Sequence, residues 1–183
     1  MCGCCRSQAA PHIYSSASQA SFTAGIILAE AAILDGKEAI QSQSYGPEAR
    51  GGSSKAEAII SDDKIYFGRV TCPDVLLAMS QEAANKYTRD CSKDSIVITD
   101  SLFVKEVPGT FKERIDLPIT HTAVSACGKS LFANIVALGA VVALTHCVSE
   151  KALEKAVLNR VPKGTEDANK KALQAGKELI TKR

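Results

Sequence analysis

The stretch from Gln43 to Gly52 (QSYGPEARGG) sets a phenol just before Gly46-Pro47, and a carboxylate and a guanidinium between that pair and Gly51-Gly52. Glycines of this kind permit positive-φ turns and let another chain or a ligand approach the backbone closely. The planar fork of Arg50 suits bidentate recognition of a phosphate or a carboxylate. Tyr45, Gly46, Pro47, Glu48, Arg50, Gly51 and Gly52 are therefore the candidate contact residues. The residues alone leave a second reading open, a solvated turn closed by a local Glu48–Arg50 contact.

Other reactive side chains offer less. Cys2, Cys4 and Cys5 form a C-x-C-C cluster near the start, with no second pair to complete a closed zinc or iron–sulfur set, and no metal site is expected. The other four of the seven cysteines are scattered beside apolar runs and read as core thiols. His146 ends an apolar run and reads as structural, while His121 follows an expected strand but has no nucleophile motif beside it. No HExxH, P-loop or nucleophile elbow occurs, so no catalytic residue is assigned to the chain. Asn134 and Asn169 read as satisfied or capping amides.

The elements that must position the loop follow from periodicity. Residues 1–16 are expected to be a poorly ordered arm, although His12-Ile13-Tyr14 offers a short first strand. A helix starts at Gln19, with Phe22, Ile26, Ile27, Ile33 and Leu34 on one broad face, and Asp35-Gly36 stops it. A polar loop is expected over 41–54, then a hairpin of 56–60 with 65–67. Val75–Met79 and Ser95–Thr99 read as strands buried on both faces, and Leu117–Thr122 as a further strand. Ser80 caps a helix through Tyr87. Helices follow from about Lys129, from Glu150 to Arg160, and from Glu166 onward, with a turn and cap at 162–165. The alternation predicts an α/β fold, one domain over 17–183 with a mostly parallel or mixed sheet flanked by helices.

Composition agrees with a soluble globular chain: 183 residues, 45% apolar and 23% charged. The net charge of +2 gives no field for nucleic acid. Leu131–Val148 approaches the length of a short membrane span. Its Asn134, Thr145 and His146 and the lack of an aromatic belt favour a buried helix, so no membrane partner is expected. An odd number of scattered cysteines and no signal-like start point to free thiols and a cytoplasmic location.

The loop Tyr45–Gly52 resembles the signature loop of the gamma subunits of 2-oxoacid:ferredoxin oxidoreductases, which recurs as domain III of pyruvate:ferredoxin oxidoreductase. Similarity continues through Lys55-Ala56-Glu57, Ile59–Asp62, Pro73–Ala83, Asn134–Ala140 and Val161–Thr165. The family's Gly-Gly-Gln-Gly turn after the first strand is replaced here by Ala17-Ser18-Gln19-Ala20. Each Cβ there costs about 1 kcal/mol if positive φ is required, so Ser18 and Gln19 mark a reshaped first-turn contact.

The resemblance implies a non-autonomous subunit in oxidative decarboxylation of a 2-oxoacid, yielding acyl-coenzyme A with electrons passed to ferredoxin. The wording of 43–52 leans toward the 2-oxoglutarate branch. Thiamine diphosphate and iron–sulfur clusters are then expected in partner alpha, beta and ferredoxin-like delta subunits, with coenzyme A as co-substrate. The alternatives are a stand-alone anion- or nucleotide-binding module and a purely structural subunit.

Overall fold

The computed structural model describes residues 13–16, 18–44 and 55–183, with side chains described from residue 23. The elements run β1 (Ile13–Ser16), α1 (Ser18–Leu34), β2 (Glu38–Ser44), β3 (Lys55–Ser61), β4 (Val75–Ala78), α2 (Gln81–Tyr87), β5 (Ile96–Asp100), β6 (Glu113–Leu117), α3 (Ile119–Cys127), α4 (Ala133–Thr145), α5 (Glu150–Arg160) and α6 (Glu166–Thr181). The strands form one sheet in the order β2-β3-β1-β4-β5-β6. Pairing is parallel from β1 through β4 and β5 to β6, and β3 is antiparallel to both of its neighbours. The sheet is therefore mixed, with β3 alone reversed.

Alternation along the strands sorts side chains to two cores. Val75, Leu77, Ile98, Ile115, Ala58 and Ile60 face the layer made by α1 and α3–α6. Leu76, Ala78, Val97 and Ile59 face a thinner layer with Ala83, Ala84 and Tyr87 of α2, together with Val70 and Val104 from the neighbouring segments. The apolar run before Val148 resolves as α4, whose residues from Ile135 to Val142 are all buried. Its seam with α6 is closed by two glycines: a Cβ on Gly139 would lie 2.3 Å from Leu173 O, and one on Gly176 2.0 Å from Val136 O. Only residues without a Cβ allow backbones that close. No helix among the described residues is long and apolar enough to cross a membrane.

Caps fix the helix ends. Gly36, at φ +77, ends α1, and Lys37 N donates back to Ala32 O. Asp35 then receives hydrogen bonds from Ser149 N and Ser149 Oγ, while Ser149 Oγ caps α5 at Ala152 N. Arg160, at the other end of α5, reaches Glu30 of α1 in a two-pronged pair. Ser80 caps α2 by accepting from Ala83 N.

Several sequence expectations change. Polar Glu38–Ser44 is a strand, not the start of a loop, because it pairs residue for residue with β3. The hairpin is thus β2–β3, and residues 65–67 have no regular structure, with Tyr66 and Phe67 exposed. Leu117 ends β6, and the residues after Pro118 are helical instead of extended. There, Asp100 at the end of β5 accepts from both Thr120 N and Thr120 Oγ1, which satisfies the first turn of α3. Ile13–Ser16, expected within an arm over 1–16, is a strand within the sheet; residues 1–12, with Cys2, Cys4 and Cys5, lie outside the described residues.

Candidate functional site

Strand direction decides where the candidate loop belongs. The ladder Ser15↔Ala56 sets the end of β1 beside the start of β3, and Ser44↔Lys55 is the last pair of the β2–β3 ladder. The segment 45–54 therefore joins two strand ends at the sheet edge where β1, β4, β5 and β6 also finish. From that edge α1 leaves β1 toward β2 on one side, while β4 lies on the other. Such a reversal of strand order opens a crevice beyond the carboxyl ends of the strands, the usual ligand position in α/β sheets. Helix α1 begins at this edge with Ser18, and α2 begins there after Ser80.

Tyr45, Gly46, Pro47, Glu48, Arg50, Gly51 and Gly52 themselves lie outside the described residues. Ser18 and Gln19 occupy the first turn of α1, as does Ala20. Their backbone is right-handed helix, so the missing glycines impose no positive-φ cost at these positions. Fold topology thus brings the first turn of α1 and both anchors of the 45–54 segment to one edge.

The loop end of that ladder is charged. Ser42 Oγ donates to Glu57 Oε2 at 2.7 Å, and Lys55 Nζ pairs with Glu57 Oε1 at 2.5 Å. The Lys55 amine also lies 5.8 Å from the centre of the Tyr87 ring. Sequence reasoning passed over Glu57 as part of a similar block. The available signal was a lone carboxylate in KAEAIIS, placed by the two-residue period on the same face as buried Ile59.

His121 is exposed on α3, not in a loop, and His146 is the left-handed cap of α4 at φ 52. Asn169 is buried and donates to Thr165 O at 2.8 Å and Thr165 Oγ1 at 3.1 Å. Burial, with nearby Cys72, pushes the Cys91 thiol up to about 12. Burial also raises the thiols of Cys127 and Cys147. Thiols held protonated are poor nucleophiles and poor ligands. Among the described residues no group of three His, Cys, Asp or Glu could hold a metal ion. The described part of the chain therefore does not fit an iron–sulfur cluster.

Comparison with known proteins follows the same lines. Residues 12–179 match the family model described as pyruvate ferredoxin/flavodoxin oxidoreductase. The 2-oxoglutarate synthase subunit KorC of Methanocaldococcus jannaschii is 44% identical over 164 residues, 88% of this chain and 88% of the relative. The solved gamma subunit of a keto/oxoacid ferredoxin oxidoreductase from Geobacter sulfurreducens is 46% identical with a TM-score of 0.82, covering 94% of this chain and 99% of that one. A 2-oxoglutarate:ferredoxin oxidoreductase of Magnetococcus marinus, solved with 2-oxoglutarate, coenzyme A and succinyl-CoA bound, shares the fold at a TM-score of 0.83 and 20% identity, over 97% of this chain and 32% of that one. With most of its length matched by the family model and by relatives of its own size, the chain belongs to the pyruvate ferredoxin/flavodoxin oxidoreductase family, as a gamma subunit of a 2-oxoacid:ferredoxin oxidoreductase.

Proposed function

We propose that this gamma subunit serves a cytoplasmic 2-oxoglutarate:ferredoxin oxidoreductase, and that its loop 45–52 forms part of the coenzyme A approach against a partner subunit. The observation that carries the reading is the Ser44↔Lys55 register, which anchors the loop at the sheet edge where strand order reverses. Arg50 is the anion contact, matched to a phosphate or carboxylate. Gly46, Gly51 and Gly52 shape the close approach, with Tyr45, Pro47 and Glu48 framing it. Ser18 and Gln19, on the first turn of α1 at the same edge, are the secondary contact. Residues 17–183 act as one domain, with β1 contributing its strand to the same sheet.

The choice of 2-oxoacid rests on relatives named as 2-oxoglutarate synthase subunits, 44% identical across most of this chain. The carbanion chemistry and electron removal belong to thiamine diphosphate and iron–sulfur clusters held by alpha, beta and ferredoxin-like delta subunits. Among the described residues of the gamma subunit, no group of three His, Cys, Asp or Glu could hold a metal ion. Its own task is to bind and orient the acyl acceptor and to complete the assembly.

The test is reconstitution with the partner subunits, assayed for ferredoxin reduction with 2-oxoglutarate, pyruvate and 2-oxoisovalerate, each with coenzyme A. Preference for 2-oxoglutarate is the expected result, and preference for pyruvate refutes the substrate assignment. Arg50→Ala is expected to raise the KM for coenzyme A about ten-fold, the scale of a lost charge-assisted hydrogen bond. Unchanged coenzyme A and 2-oxoacid kinetics would remove Arg50 from the site.

A further inference from the structure

The charged cluster at the loop end of the β2–β3 ladder is not explained by stability. Glu57 is 6% exposed, in the middle of β3. Its Oε2 accepts from Ser42 Oγ at 2.7 Å, while its buried Oε1 has only an ion pair, 2.5 Å from Lys55 Nζ, and no hydrogen-bond partner among the described residues. An ion pair removed from water loses solvation that its mutual attraction returns only in part, and well-packed apolar residues are often as stable or more so. Ile59, two residues along on the same face, joins the thinner core directly.

Register is what the cluster supplies. Ser42 stands directly opposite Glu57 in the ladder, and Lys55 forms the last pair before the loop. A slip of one residue turns Glu57 toward the other core, among Ala58 and Ile60. A slip of two separates Glu57 from Ser42. Either slip also changes which residues enter the loop. The neighbouring Tyr87 ring, buried in α2, ties the Lys55 amine to a second element.

We propose that Glu57 is a positioning residue: with Lys55, Ser42 and Tyr87 it locks the β2–β3 register and so fixes the two strand ends, Ser44 and Lys55, from which the proposed coenzyme A contact departs. The proposal rests on the loop's role given above and assigns Glu57 no contact with substrate.

The experiment compares variants in the reconstituted complex, reading kcat and the KM for coenzyme A and for 2-oxoglutarate separately. Glu57→Gln is expected to raise the KM for coenzyme A about ten-fold with kcat within about two-fold. Ser42→Ala, which removes one hydrogen bond, moves it in the same direction by less, and decides the matter if Glu57→Gln fails to assemble. Lys55→Glu combined with Glu57→Lys restores the pair in reverse and brings the KM back toward wild type. Glu150→Gln breaks the Lys177–Glu150 pair between α5 and α6, 2.6 Å long, and leaves both parameters alone. The positioning role is overturned if Glu57→Gln and Ser42→Ala leave the KM for coenzyme A unchanged while Arg50→Ala raises it. If Arg50→Ala is silent and Glu57→Gln still raises that KM, the role of Arg50 fails and the positioning role stands. Silence of all three variants overturns both.

Discussion

Gly176→Ala tests the packing that holds the subunit together. The new Cβ would lie 2.0 Å from Val136 O and 2.8 Å from Val136 C, both backbone atoms of α4. An unstrained carbon–oxygen contact is about 3.3 Å or longer, so the two helices must part by more than about 1 Å. Overpacking of this kind costs about 1–3 kcal/mol, and the upper end applies where no flexible side chain can swing aside. For a chain of this length about 3 kcal/mol lowers Tm by roughly 6–12 °C. The assay is thermal unfolding of the purified subunit by circular dichroism, with Gly164→Ala as the comparison. Gly164 has φ +88 but nothing within 4 Å of its new Cβ. Its substitution therefore carries only the backbone strain, about 1 kcal/mol. A Gly176→Ala protein that melts with wild type, or above Gly164→Ala, refutes the close-seam argument.

Asp100→Ala removes the acceptor shared by Thr120 N, Thr120 Oγ1 and Leu102 N in a carboxylate with 0% exposure. Leaving those donors unpaired costs about 1–3 kcal/mol, read as a lower urea midpoint with an unchanged slope. The Cys91 thiol, raised from 9.0 to about 12 chiefly by burial, should resist iodoacetamide at pH 8 in the native subunit. Its folded state holds the proton more tightly than the unfolded state. It therefore contributes fully below pH 9, and stability falls as the pH rises from 9 toward 12. Cys91→Ala should flatten that alkaline slope; an identical slope removes Cys91 as its source.

Local chemistry made much of the fold legible. Ser80 before Gln81–Tyr87, Ser149 before Glu150–Arg160, and Gly36 after Leu34 mark helix ends through short-range hydrogen bonds or left-handed backbone. The runs in β4 and β5 are apolar because both of their faces are covered. Long-range pairing was harder to read. EAIQSQS is a strand only because β3 supplies its partner, and its half-exposed polar residues carry no apolar alternation. Ile65-Tyr66-Phe67 reads as a strand by type, yet no neighbour among the described residues pairs with it. The residues after Pro118 look extended until Asp100, distant in sequence, satisfies the first turn of α3. At the candidate site, residue types identified the loop, while its setting came from Ser15↔Ala56 and Ser44↔Lys55. The significance of Glu57 needed its burial and both partners, which a single strand sequence does not contain.

The central claim is that the hairpin tip between Ser44 and Lys55 meets a partner subunit and coenzyme A. Hydrogen exchange of the peptide spanning residues 41–56 tests it most directly, measured in the isolated subunit, in the assembled complex, and in the complex with coenzyme A. The account predicts slower exchange on assembly and a further slowing with coenzyme A. Equal exchange in all three states contradicts it.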